Sequence, residues 1–270
     1  MGRLDHPSLT FNPWPDTKWT ASDKPILIVD GVLHATKGLS QIVSGRAAYL
    51  VGMKDRDVAT IAPLLDVEYL YFYELRAADL APLARLPRLR NLKIEWNTRL
   101  TTLDAIGPLT GLETLILVDT PKVRDLSALT TLPNLAALEY SGGIWNKQRA
   151  ISLEPLAELP KLEELTLTHL SVESGGLRPL ARCRALKTLH LSNQFDTEDY
   201  AYLSVALPNV ECQAFQPWMR VQHAGGADTM ITGRRKPLLN SATDGDRIAA
   251  YEAAFRKLQT RFAAELNVGG

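Results

Sequence analysis

The residues of this 270-residue chain whose grouping could suggest a metal or catalytic site are His169 and His190, the carboxylates Asp119, Glu139 and Glu164, and the thiols Cys183 and Cys212. A zinc site would need three or four such ligands converging within about 2.3 Å of one ion, and no spacing among them demands it. The chain has no Cys-x-x-Cys, no His-x-x-x-His on a helical pattern, no Gly-x-Ser-x-Gly and no glycine loop for phosphates. The expectation is therefore no metal, no cofactor and no catalytic residue. The enzymatic alternative is a hydrolase-type site near His169 and His190, assembled from parts of the chain distant in sequence as catalytic triads are.

A second chemistry is recognition. Tyr69, Tyr71 and Tyr73 alternate along one segment, and Lys93, Glu95 and Trp96 occupy the corresponding places 22 residues later. Aromatic residues ringed by charge have the composition of protein-binding hot spots. Ile116, Asp119 and Glu139 follow at equivalent positions further on. Acids slightly outnumber bases in this set, which favours a partner with a basic patch and acts more on association rate and choice of partner than on affinity.

The element that must position these residues is a leucine grid, read most plainly at Leu80, Leu83, Leu86, Leu89, Leu92 and Ile94. It recurs five further times between residues 58 and 216, with Leu70, Leu92, Leu115, Leu138, Leu165 and Leu189 in equivalent places, and a seventh, frayed copy runs from Leu207 to Phe215. Leu70 to Leu92 spans 22 residues and Leu92 to Leu115 spans 23. Spacing by three suits a short 3₁₀ turn, and the closing Leu-x-Leu alternates as a strand must, so each copy supplies one strand and one return limb. Pro82, Pro155 and Pro179 share one place in the return, and Pro87, Pro133, Pro160 and Pro208 another; none falls in a Leu-x-Leu. A ring without a backbone donor suits the start of a helical turn and would break a central ladder.

These motifs resemble the leucine-rich repeat family, in particular the short 22-residue class found in bacterial internalins, over roughly 60% of the chain. The resemblance implies an α/β solenoid: a curved right-handed superhelix with a parallel concave sheet, an N-terminal β cap and a C-terminal helical cap. It implies a protein-binding module using the concave face, with an inhibitor or immunity protein that neutralises an enzyme as the narrower alternative. The expected contact residues are Tyr69, Tyr71, Tyr73, Lys93, Glu95, Trp96, Ile116, Asp119, Glu139 and Trp145.

Trp145 belongs to a departure from the period. Leu138 to Leu165 spans 27 residues, so residues 141–149 are extra chain. Insertions in repeat proteins map to loops on one face, often the binding face. Trp145 at the tip is expected either to anchor a partner or to fold back over the edge of the solenoid.

The ends read differently. Residues 1–57 form an arm and cap: Pro7, Trp14 and Trp19 mark an extended segment expected to lie against the body, on the aromatic cluster. Asp30-Gly31 between two apolar runs signals a hairpin, and residues 37–51 read as a degenerate repeat with Leu39, Ile42, Ala48 and Leu50 in the grid. In residues 217–270 the grid stops and Ile248, Tyr251, Phe255, Leu258 and Phe262 form one helical stripe, expected to seal the last repeat. Thirty basic residues balance thirty acidic ones, which speaks against a nucleic acid or an anionic membrane as partner. No apolar run approaches the roughly 20 residues of a membrane helix. A cytoplasmic monomer with reduced thiols is the expectation.

Overall fold

The computed structural model describes residues 2–6, 25–222 and 226–268. The first strands among the described residues are β1 (Ile26–Val29) and β2 (Val32–His34), an antiparallel hairpin. Its two turn residues, Asp30 and Gly31, both have positive φ, 47° and 84°, the geometry that matches the twist of the flanking strands. After β3 (Val43–Ser44) comes β4 (Ala47–Val51), which pairs with β1 on one side and, in parallel, with the first leucine strand on the other. Ala48 stands opposite Leu70, so residues 47–51 carry the first rung of the ladder. Ile42, which the grid reading places inward, is 69% exposed.

The repeats then stack. A short helix, α1 (Asp55–Ile61), and β5 (Leu65–Asp66) lead to β6 (Tyr69–Tyr73), β7 (Asn91–Glu95), β8 (Thr114–Val118) and β9 (Ala137–Ser141). Beyond them come β10 (Gln148–Ser152), β11 (Glu164–Leu167), β12 (Leu170–Ser174) and β13 (Thr188–Leu191). Leu70, Leu92, Leu115, Leu138, Leu165 and Leu189 are successive partners in one parallel register, and each is fully buried. One nine-stranded sheet results, in the order β13, β11, β9, β8, β7, β6, β4, β1, β2. The returns are 3₁₀ turns, such as Ala81–Arg85, Glu154–Glu158 and Arg178–Arg182, each with its proline in the first two positions, where a missing N–H leaves no bond unmade.

The insertion differs from the expected loop over 141–149. From Gln148 onward it is a strand, β10, paired in parallel with β12 in a second, two-stranded sheet. Gln148 and Ala150 face inward and are buried while Arg149 and Ile151 are exposed. A polar glutamine at an inward position and an isoleucine at an outward one hide the alternation from a reading based on hydrophobicity.

At the far end the frayed repeat returns through a helix, α2 (Thr197–Ala206), and its strand shrinks to a single bridge between Thr188 and Glu211. The strands β14 (Trp218–Arg220), β15 (Thr229–Ile231) and β16 (Leu238–Leu239) form an antiparallel sheet, followed by α3 (Gly245–Val268). Phe255 and Phe262 of α3 are buried and join the leucine core, and Phe262 meets Tyr202 of α2 edge to face at 5.4 Å. Of the five stripe residues Phe255 and Phe262 are buried, while Ile248, Tyr251 and Leu258 are partly exposed.

Asp228 ties the small sheet together. Its carboxylate accepts bonds from Ser241 N–H (2.9 Å), Ser241 Oγ (2.6 Å) and Thr229 Oγ1 (2.8 Å) and pairs with Arg220. These bonds, Ser241 foremost, hold its pKa down from 3.8 to about 2. A depressed folded-state pKa gives stability that is present above 3.8 and lost as pH falls through about 2. The Asp228→Asn variant is thus expected to be less stable than wild type at neutral pH, with the gap closing between pH 4 and pH 2. Urea midpoints measured across that range check it; a gap independent of pH would refute it.

Candidate interaction surface

The face of the sheet opposite the leucine core carries the expected contact residues, and its N-terminal half is not an open palm. Tyr71 is only 4% exposed. It meets Tyr49 of β4 edge to face at 5.8 Å and Tyr73 at 6.4 Å, Lys93 Nζ lies 4.4 Å from its ring centroid, and its hydroxyl donates to Glu95. Burial, followed by that bond to Glu95, pushes the Tyr71 hydroxyl pKa far upward. The physical reason is the hairpin: β1 and β4 extend the sheet beside β6 and lay Ile26, Ile28, Tyr49 and Val51 on the same face as a small second core. Ile116 is 2% exposed as well. Tyr71 and Ile116 are thus corrected from contact residues to packing residues.

Residues 2–6 cross this face. The Arg3 and Leu4 N–H groups donate to the Glu164 carboxylate at 3.0 and 3.4 Å, and the Arg3 guanidinium reaches Glu113 at 3.3 Å. His6 stacks on Tyr69 with ring centroids 4.4 Å apart, its Nε2 lying 3.1 Å from the tyrosine hydroxyl; burial and the charge of Arg46 lower the His6 pKa. The arm expected over the aromatic cluster is in this respect present, while Trp14 and Trp19 lie outside the described residues. Glu139 is half-buried, and burial pushes its carboxyl pKa above the usual range against the bond from Ser141 and the charge of Lys93.

The exposed aromatic residues gather at the C-terminal rim of the strands. Here the first residue after β6, β7 and β8 takes left-handed backbone, Glu74 (φ 52°), Trp96 (61°) and Asp119 (52°), as does the second after β11, His169 (47°). The turn is fixed by bonds to the next repeat, Glu74 N–H to Glu95 O, Trp96 N–H to Val118 O and Asp119 N–H to Ser141 O, each 2.9 to 3.0 Å. Aspartate tolerates this conformation, but for tryptophan it is an outlier, and held outliers of this kind gather at functional sites.

Across from Trp96 stands the insertion loop. Its root is pinned: Gly142 N–H donates to Thr168 O, Gln148 N–H to His169 O, and the Gly143 carbonyl lies 2.8 Å from His169 Nδ1. A side chain at 142 would meet the His169 carbonyl at 2.5 Å, and one at 143 would meet the Asp119 carboxylate at 2.5 Å, so the two glycines allow the loop to lie against the rim. Past that root Ile144 and Trp145 are 87% and 88% exposed. Trp145 does not fold back.

Between loop and rim lies a cavity of about 470 Å³ lined by Tyr73, Glu95, Trp96, Asp119, Ile144 and Trp145, with Val118 and the two glycines. Of the ten residues singled out from sequence, the structure brings five together here, Tyr73, Glu95, Trp96, Asp119 and Trp145, with Lys93 bound to Glu95 at 2.9 Å. Tyr69, Tyr71, Ile116 and Glu139 stand apart from it. The sequence reading missed Ile144 and the pinning role of His169; the Gly142-Gly143 pair was the available signal. His169 is committed to the loop carbonyl, and no cluster of three or more histidine, cysteine or carboxylate residues suited to a metal occurs among the described residues. No helix among them is long and apolar enough to cross a membrane.

No family model matches the chain, and no curated protein does. Solved structures match parts of it. Internalin C2 from Listeria monocytogenes is 26% identical over 61% of this chain and 69% of its own, with a TM-score of 0.44. Internalin F from the same organism is 20% identical over 67% and 63% (TM-score 0.36), and TLR13 in complex with ssRNA13 is 19% identical over 59% and 26% (TM-score 0.41). This chain thus spans less than two thirds of the latter two. Seven parallel strands in one register, with a leucine or a small apolar stand-in at every rung and 3₁₀ or short helical returns, give this chain the fold of a leucine-rich repeat solenoid.

Proposed function

We propose that the chain is a non-enzymatic module that binds a partner protein at the rim formed by Trp96 and the insertion loop, rather than across the middle of the concave face. The observation that carries this reading is the exposure of Ile144 and Trp145 on a loop whose root is hydrogen-bonded to the neighbouring strand ends. Large apolar side chains held in water at fixed positions lose no burial in the free protein and gain it all on docking. Pre-organisation lowers the entropy cost of binding. Residues 2–6 over Tyr69 and Glu164 support the shift from palm to rim, since they already occupy part of the palm.

Two variants test it. Trp145→Ala removes an exposed side chain and is expected to leave thermal unfolding unchanged while weakening capture of the partner by about 30-fold, the loss of a hot spot worth about 2 kcal/mol. At Trp96 the informative change is to glycine, because alanine would keep the left-handed strain. Trp96→Gly relieves about 1 to 2 kcal/mol of backbone cost, offset by the edge contact with Tyr73 at 6.1 Å and by a more flexible unfolded chain, so stability should hold while affinity falls. The measurement is capture on immobilised wild type and variants from a lysate of the encoding organism, followed by titration calorimetry with the purified partner. Equal affinity for wild type and both variants would exclude the rim.

A further inference from the structure

Asp119 is the one anomaly of the rim cavity. It is 8% exposed, it lines the cavity, and its Oδ1 has no hydrogen-bond partner; no described side chain pairs with it. A buried carboxylate oxygen without a donor is costly. The other acid, Glu95, is already compensated, since its Oε2 takes the Tyr71 hydroxyl and Lys93 Nζ. The cavity therefore presents one unbalanced negative charge on a wall and indole and phenol rings around it.

Resting on the rim as the contact surface, we infer that the cavity between Trp96 and Trp145 receives an arginine side chain of the partner protein. An apolar side chain would leave the Asp119 carboxylate without a counter-charge, and an acidic one would be repelled. A quaternary ammonium suits aromatic walls but has no N–H to give Asp119. An ammonium is a compact and strongly hydrated charge, whereas a guanidinium is planar, weakly hydrated, stacks on rings and offers several N–H groups in a fork. Guanidinium answers both features, the flat aromatic walls and the uncompensated carboxylate. On the far side of Trp145, Lys122, Arg124, Lys147 and Arg149 line a basic cleft, so the loop separates an acidic seat from a basic one and fixes which charge enters where.

The test uses the full chain and small probes. Indole N–H resonances of Trp96 and Trp145, assigned by substitution, are followed by NMR on titration with N-acetyl-arginine amide, N-acetyl-lysine amide, tetramethylammonium and the neutral isostere N-acetyl-citrulline amide. Arginine amide should shift both indoles in the millimolar range, as a ligand of this size would, with lysine amide several-fold weaker and citrulline amide and tetramethylammonium without effect. In Asp119→Asn, which keeps a side chain tolerant of positive φ, the arginine response should fall about tenfold, the loss of a charged hydrogen bond. Equal responses to arginine and citrulline amides, no response to either, or an undiminished response in Asp119→Asn would overturn the inference. If partner capture still depends on Trp145 while arginine amide shifts nothing, this inference fails and the rim reading stands; if capture is indifferent to Trp145 and Trp96, the rim reading fails first.

Discussion

Leu115→Ala is expected to lower the free energy of unfolding by about 3 to 5 kcal/mol, a large part of what a domain of this size has. Leu115 is fully buried and its register partners are Leu92 on one side and Leu138 on the other, themselves fully buried. A void opened between two rungs cannot be closed by one rung moving, because the strands on both sides are held by their own ladders. The cost should therefore sit at the upper end of the range for leucine truncation, where transfer and cavity terms add. Leu189 offers the control. It pairs with Leu165 on one side, and on the other the sheet ends in a single bridge and a helix. There α2 can settle into the gap, so Leu189→Ala should cost nearer 2 kcal/mol. Denaturant unfolding of both variants, followed by circular dichroism, measures the difference; equal costs would show that the interior yields as easily as the end.

That contrast also explains what could be read from sequence. The ladder was legible because a parallel sheet of repeats demands the same residue type at the same phase, so Leu70 through Leu189 announce their own register. The prolines were legible because a ring without a donor has one tolerable place per repeat. Asp30-Gly31 was legible because both residues suit positive φ. Three features were not. Burial of Tyr71 depends on β1 and β4 joining the same sheet, a long-range pairing that Tyr71 itself does not encode. The left-handed residue that follows β6, β7, β8 and β11 leaves no common residue type, since glutamate, tryptophan, aspartate and histidine fill it. Helix α2 buries Tyr200, Ala201 and Leu203 without an apolar stripe of helical period, because it lies between the last repeat on one side and α3 on the other. Of the site, the residue types were legible and their gathering at the rim was not; that depends on the turn at Trp96 and on the pinned loop.

Gln148→Ala is expected to destabilise the fold by about 2 kcal/mol although it deletes no apolar contact, and to weaken partner capture although Gln148 does not line the cavity. Gln148 is fully buried. Its Nε2 donates to the carbonyls of Thr120 and Val123, both at 2.9 Å, and its Oε1 accepts from Thr120 N–H at 3.3 Å. One repeat earlier, Asn97 does comparable work from within its own turn, accepting from Arg99 and Leu100 N–H at 2.7 and 2.9 Å and donating to the Ala77 carbonyl at 2.9 Å. The equivalent position in the next repeat is Thr120, whose hydroxyl is buried without a partner. A threonine is too short for that task, and the insertion brings a glutamine from 28 residues away to do it. Truncation would leave the buried Thr120 N–H without a partner, at a cost of about 1 to 3 kcal/mol, and would take one of two donors from each carbonyl, since Val123 N–H still bonds Thr120 O and the Tyr140 hydroxyl still bonds Val123 O. The strand β10 begins at this residue, and β10 with Gly142 and His169 roots the loop that carries Trp145, so loosening the root should cost affinity through the tip. Thr120→Asn in the same background places an amide where Asn97 has one and should recover part of the stability. It should recover less of the affinity, because the root of the loop stays unbonded. A double-mutant cycle in denaturant reads the coupling between 120 and 148; a Gln148→Ala variant within about 0.5 kcal/mol of wild type, the range of an ordinary surface change, would mean that the inserted strand is not tied to the solenoid through this side chain.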